Sequence, residues 1–178
     1  MRRVSHFMMR IPTMDKDAMR RVSTKNIMVN IINYETRHAA VFKQLNLEWL
    51  DKYHLTESHD LLVLDDPQRT ILDAGGVILL AEYNGEIVGT VALMHEHDHV
   101  YELAKMAVAP HMQGRGISKI LITAILQAAK NKDAEKLTLF SNHQLVAALS
   151  LYQKFGFKHV DVTGSPFTTA DVKMELLL

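Results

Sequence analysis

The residues best suited to chemistry lie in Ala107-Val-Ala-Pro-His-Met-Gln-Gly-Arg-Gly-Ile-Ser118. A strand pattern runs into a turn with two glycines, and the turn opens directly into an amphipathic helix. Free backbone N–H groups at a helix start, aligned with the helix dipole, attract an anion. Gly114 and Gly116 let the backbone approach a phosphate closely. The turn lacks the Gly-Lys-Ser/Thr ending of a phosphate-binding P-loop and the third glycine of a dinucleotide fingerprint. Taken alone it is equally compatible with a tight turn that binds nothing. A second cluster is His95, His97 and His99. On a strand these would share a face and could hold zinc or nickel. Interleaved with Glu96 and Asp98, they read better as a polar connection that holds no metal.

Regular elements must position these groups. Met28 to Tyr34 alternates weakly and predicts a strand. From about Glu35 to His54 a helix is expected, with Phe42, Leu45, Trp49, Leu50 and Tyr53 on one face. More helix is expected around Leu61 to Leu64. Asp66-Pro67 then opens a short helix that Gly75-Gly76 ends. Val77–Tyr83 and Ile87–Met94 read as strands joined by Asn84-Gly85, a pair suited to a turn with positive φ at both central positions. Val100–Val108 is the next strand. Ile117, Ile120, Leu121, Ala124, Ile125 and Ala128 stripe a helix. Lys136–Phe140 is a strand, Leu145 to Tyr152 a helix ended by Gly156, and Phe157–Val162 and Val172–Leu177 are strands. The order predicts a mixed α/β (α+β) domain with a central twisted sheet flanked by helices.

Composition narrows the class. The 178 residues are 48% hydrophobic and 22% charged, which suits one soluble globular domain. No apolar run is long enough for a membrane span, so no membrane partner is expected. With no cysteine, thiolate zinc sites and cysteine nucleophiles are excluded, and a cytoplasmic address is the default. Zero net charge gives no reason to expect nucleic acid. The charge is uneven, however. Residues 1–27 hold seven Lys/Arg, two acids and five methionines, and are read as a basic, loosely ordered extension. The domain itself is assigned to residues 28–178. The apolar tail Leu176-Leu177-Leu178 is compatible with a homodimer.

Gln113-Gly-Arg-Gly-Ile-Ser118 resembles the Arg/Gln-x-x-Gly-x-Gly/Ala motif of the GCN5-related N-acetyltransferase (GNAT) family. Leu103-Ala-Lys-Met-Ala-Val-Ala-Pro110 matches the strand before that motif. Leu137–Asn142 and Ala148–Phe157 match the family's second signature, and Glu82-Tyr-Asn-Gly-Glu-Ile-Val-Gly-Thr90 its strand–turn–strand. The resemblance covers about residues 30–178. Ser118 departs from the motif, where Gly or Ala is usual.

The resemblance implies a GNAT-like acyltransferase fold in which Val100–Val108 and Lys136–Phe140 splay apart. It also implies acetyl-CoA as co-substrate, with no metal, and direct transfer to a primary amine. Backbone amides of Gln113, Gly114, Arg115, Gly116, Ile117 and Ser118 would hold the pyrophosphate. Met106 and Val108 would pair with the pantetheine arm like an added strand. Tyr152 matches the position of the general acid, and a phenol is protonated at neutral pH. Glu102 matches the position of the base in one branch of the family, with a water chain as the alternative. Asn142 matches a contact to the CoA arm and also suits a helix N-cap. Tyr53, His54, Glu57 and Asp60 lie where the family builds its acceptor pocket, and equally suit a polar surface. The acceptor is expected to be a small-molecule amine. The alternatives are a protein lysine or N-terminus, a non-catalytic acyl-CoA-binding module, and an enzyme that binds a nucleotide phosphate at the same helix start.

Overall fold

Residues 21–24 and 27–178 are described in the computed structural model. Among these residues eight strands form one sheet: β1 (Arg21–Thr24), β2 (Ile27–Asn33), β3 (Val77–Tyr83), β4 (Glu86–His97), β5 (Val100–Val108), β6 (Lys136–Ser141), β7 (Lys158–Val160) and β8 (Val172–Leu177). Their order is β1-β2-β3-β4-β5-β6-β8-β7. All neighbours are antiparallel except β5 and β6, which run parallel. The helices are α1 (Ala39–Lys52), α2 (Ser58–Asp65), α3 (Ile117–Lys130) and α4 (Val146–Lys154). No helix among the described residues is long and apolar enough to cross a membrane.

The period-two pattern of the central strands divides the core. Leu79, Ala81, Val91 and Leu93 join the cluster that contains Ile117, Leu121 and Ile125 of α3. Ile78, Leu80 and Ala92 belong to a second cluster with Phe42 of α1 and Val63 and Leu64 of α2. Gly89 permits the close seat of α3. A Cβ there would lie 3.0 Å from Leu121 Cδ1 and 3.3 Å from both Ile117 Cγ2 and the Ala107 carbonyl oxygen. The Asn84-Gly85 turn has the expected positive φ at both residues, 51° and 82°.

Three boundaries differ from the sequence reading. The sheet begins ahead of Met28, because β1 pairs Arg21 to Thr24 with β2. Residues 1–20 and 25–26, the rest of the proposed extension, lie outside the described residues. β4 continues to His97, with an irregularity in the register between His95 and His97, and only Asp98 and His99 form the turn. The expected strand Phe157–Val162 shortens to Lys158–Val160, an edge strand that pairs with β8.

Two departures from regular pairing shape the interior. Parallel pairing of β5 with β6 stops after Val100↔Lys136, Tyr101↔Leu137 and Glu102↔Thr138. Beyond Glu102 the strands part, as expected from the resemblance. On its other edge β5 carries a bulge. Thr90 pairs with Ala107 and Ala92 with Ala104, so Val91 alone faces Lys105 and Met106. Lys105 takes φ 50°, unusual for a residue with a side chain. A buried network fixes it. Thr90 Oγ1 donates to the Lys105 carbonyl at 2.9 Å, and Asn46 Nδ2 donates to Thr90 Oγ1 at 3.1 Å and to the Phe42 carbonyl at 2.9 Å.

Candidate active site

Two cavities open where β5 and β6 diverge. The larger, about 500 Å³, is bordered by Met106 and Val108 of β5, by Gln113, Gly114, Gly116, Ile117 and Ser118, and by Val146 to Ala148 at the start of α4. Gly114 and Gly116 take φ 73° and 82°, which side chains disfavour, and Gly116 directly precedes α3. The turn is tied back to its strand, because Gln113 Nε2 donates to the Val108 carbonyl at 3.1 Å. Arg115 is exposed. The arrangement presents the N-terminal ends of α3 and α4 to one space, which suits an anionic, extended ligand.

The smaller cavity, about 110 Å³, lies on the other side of the same opening. Glu102, Lys105 and Asp60 supply its charged groups, and Trp49, Leu50, Leu55, Phe140 and Phe167 much of its apolar wall. Trp49, Met106, Leu145 and Tyr152 border both cavities. The two cavities therefore share these four residues.

Tyr152 is buried on α4, packed edge-on to Phe157 with ring centroids 5.9 Å apart. Burial pushes its phenol up to about 12, so it stays protonated at neutral pH. Glu102 faces the smaller cavity from β5 and is otherwise enclosed. Burial pushes its carboxyl up to about 7, Lys105 pulls it down, and Glu96 and Asp60 push it up. A carboxyl titrating there can accept a proton near neutral pH.

Lys105 Nζ donates to Asp60 Oδ1 at 2.6 Å, with side chains only 6% and 5% exposed. The ammonium also lies 5.4 Å from the centroid of the Phe167 ring. Phe167 belongs to the β7–β8 loop, which a carboxylate holds down. Glu57 accepts from the backbone N–H and Oγ1 of Thr168 at 2.9 and 3.0 Å, and from those of Thr169 at 2.8 and 2.7 Å. Burial alone would raise this carboxyl; the four hydrogen bonds outweigh it and hold it near 2.

Residues 40–157 match the model of the acetyltransferase (GNAT) family. The chain belongs to the GNAT family. It is 30% identical over 105 residues to the uncharacterized N-acetyltransferase YvbK of Bacillus subtilis, covering 57% of this chain and 68% of that protein. Some other curated relatives are longer, and the matched region spans 36% of one and 44% of another. In fold, this GNAT domain is similar to a GNAT-family acetyltransferase from Staphylococcus aureus Mu50, with TM-score 0.77 and 20% identity, covering 84% of this chain and 98% of that one. It is also similar to the PaiA N-acetyltransferase from Thermoplasma acidophilum, solved in complex with coenzyme A, with TM-score 0.69 and 18% identity over 84% and 99% of the two chains.

Within this GNAT domain, the residues expected to act together fall into two groups. Val108, Gln113, Gly114, Gly116, Ile117 and Ser118 border the larger cavity, Glu102 and Asn142 the smaller, and Met106 and Tyr152 both. Asn142 makes structural hydrogen bonds. Its Nδ2 donates to the Thr169 carbonyl at 2.7 Å, and its Oδ1 accepts from Gln144 N–H at 3.0 Å. The histidines are engaged locally. His95 Nε2 meets the Asp98 carbonyl at 3.1 Å with its ring 5.0 Å from Tyr101, and His97 Nδ1 meets Asp98 Oδ2 at 3.2 Å. The His99 carbonyl accepts from Glu135 N–H at 2.9 Å.

Sequence reasoning missed Trp49 as a cavity residue, because its place in the helical stripe reads as core. It also missed Lys105 and Phe167. Nothing local marks either one, since the bulge at Lys105 depends on Thr90 and the seat of Phe167 on Glu57.

Proposed function

We propose that the protein moves an acetyl group from acetyl-CoA directly to the primary amine of a small molecule. The observation that carries this reading is the meeting of two dissimilar cavities at Tyr152. One has a glycine turn and two helix starts for a diphosphate, and the other a carboxyl that titrates near neutral pH. The size of the larger cavity and the two helix starts at its edge suit the CoA moiety, and a CoA complex of a structural relative supports the assignment. Bound acetyl-CoA would supply an activated acetyl thioester.

The residues of this chain do the rest. Amides of the Gln113–Ser118 turn hold the diphosphate. β5 around Met106 and Val108 aligns the pantetheine arm along the opening. Glu102 takes a proton from the substrate ammonium and frees the nitrogen lone pair. As the C–N bond forms and the C–S bond breaks, Tyr152 gives its proton to the departing sulfur, and the second proton lost by the acylated nitrogen restores the phenol. Asn142 steadies the cavity wall through the Thr169 carbonyl. The enclosure of the smaller cavity by the clasped β7–β8 loop favours a small molecule over a protein side chain. The cysteine-free sequence supports a cytoplasmic setting.

Calorimetric titration of acetyl-CoA, with ATP and NAD as comparisons, tests the donor site. Micromolar binding abolished by Gly116→Glu is expected, because a carboxylate there would face the diphosphate. Thiol release in the presence of amines tests transfer. Binding without turnover on any amine would favour an acyl-CoA sensor, and preference for ATP or NAD would refute the donor assignment.

A further inference from the structure

The charged groups of the smaller cavity are already partly committed to each other, and this limits what can bind there. Lys105 is the only cation among the described residues that line it. Its Nζ is bound to Asp60 at 2.6 Å, and both side chains are almost wholly buried. Asp60 Oδ2 is also engaged, by the Glu57 N–H at 3.2 Å. A substrate carboxylate entering this cavity would meet no uncompensated cation and would face Glu102. The cost of burying an unpaired charge opposes it. A second ammonium, as in a polyamine, would find Asp60 taken. Much of the remaining wall is apolar, with Trp49, Leu50, Leu55, Phe140 and Phe167, and the amides of Asn46 and Asn142 on it are already hydrogen-bonded within the protein. The volume of about 110 Å³ leaves room for a compact group only. Phe167 is held in place on the cavity wall. Its ring sits edge-on to His59 at 5.1 Å and to Phe140 at 6.3 Å, on a loop held by four hydrogen bonds to Glu57.

We propose that the acceptor is a primary monoamine with a compact apolar or aromatic body and no carboxylate, seated against Phe140 and Phe167 with its nitrogen toward Glu102. This rests on the acetyltransferase reading of the site. Phe167 is then the residue that sets the size of the accepted amine.

The test uses the full chain and two independent readouts. With saturating acetyl-CoA, thiol release is measured for phenethylamine, isoamylamine, L-aspartate and spermidine. The two apolar monoamines should exceed the other two in kcat/KM by at least tenfold. Binding is read separately from turnover through Trp49, the single tryptophan of the chain and a wall of both cavities. Phenethylamine should change its emission at concentrations where aspartate and spermidine do not. Phe167→Ala should lower kcat/KM for phenethylamine at least tenfold and admit bulkier amines, while Phe167→Leu retains most of the activity. Preference for aspartate or spermidine in either readout overturns the inference, and turnover of either one leaves acetyl transfer standing. The expected fluorescence ranking without turnover of any amine defeats the transferase reading, overturns the acceptor assignment with it, and leaves only a monoamine-binding cavity. No response to any amine in both readouts overturns the inference.

Discussion

Glu102 and Lys105 border the same cavity although they lie three residues apart on one strand. In a regular strand an odd separation puts two side chains on opposite faces. The extra residue of the β5 bulge, with Lys105 at φ 50°, cancels that alternation and brings ammonium and carboxyl together. The cation thereby sits close enough to lower the proton affinity of Glu102, against the burial that raises it.

The activity should therefore depend on pH through Glu102. A base must be ionised, so kcat/KM should fall as pH drops through about 7. Lys105→Met removes the group that lowers the carboxyl and should move this midpoint up. Glu96→Gln removes one that raises it and should move the midpoint down. Profiles of kcat/KM against pH for the three proteins check both signs, and equal midpoints would exclude Glu102 as the titrating group.

The Lys105–Asp60 pair should matter for stability in an asymmetric way. Asp60→Asn leaves a buried ammonium without its counter-charge and should cost about 3 kcal/mol, a fall of roughly 6–12 °C in Tm. The double change Asp60→Leu with Lys105→Met removes both charges and should recover much of that loss. Thermal unfolding at neutral pH followed by circular dichroism measures the difference.

Tyr152→Phe keeps the ring packed against Phe157 and removes only the hydroxyl. Loss of a general acid should lower kcat by about 10²–10⁴-fold, with acetyl-CoA affinity little changed. Because burial holds the phenol up to about 12, the wild-type rate should show no loss from Tyr152 ionisation below about pH 10. Stopped-flow thiol release and calorimetry together separate the two effects.

Much of the scaffold was legible in the sequence because its causes are local. The Asn84-Gly85 turn, the Ile117–Ile125 stripe and the glycine turn before α3 each follow from residues a few positions apart. The two principal chemical groups, Glu102 and Tyr152, came from resemblance, and the structure sets both beside one cavity. The wall of the smaller cavity was legible only in part, because the resemblance singled out Glu57 and Asp60 but not the partners that fix them. Asp60 meets Lys105 across 45 positions, Glu57 meets Thr168 and Thr169 across 111 and 112, and no periodicity encodes such pairs. The histidines misled in a smaller way, since the acidic interleaving suggests a loop while pairing with β5 extends β4 to His97.

The Glu57 clasp should loosen in acid. Its carboxyl is held near 2, below the ordinary range, so the folded loop gains stability above about pH 4 and loses it as pH falls toward 2. Hydrogen exchange at the Thr168 and Thr169 amides should quicken across that window, relative to amides of β3. Glu57→Gln should show faster exchange already at neutral pH and a raised KM for the amine.

Gly89→Ala should disturb the donor side from a distance. The added methyl group would press on Leu121 and Ile117, at a cost of about 1–3 kcal/mol. Ile117 opens α3 beside the glycine turn, so acetyl-CoA affinity should weaken as well. Calorimetry on the variant checks this, and unchanged affinity would show that the turn is independent of the helix seat.

The parting of β5 and β6 after three residue pairs gives the sheet the form of tweezers. The jaws are β1–β5 on one side and β6, β8 and β7 on the other, and the Val100–Glu102 pairing is their pivot. A donor arm lying in the gap would serve as the sheet's missing rung, so filling the site and finishing the fold would be one event. Saturation with donor should then raise resistance to unfolding most at the far ends of the jaws, around Met106 and Ser141, and least at the pivot.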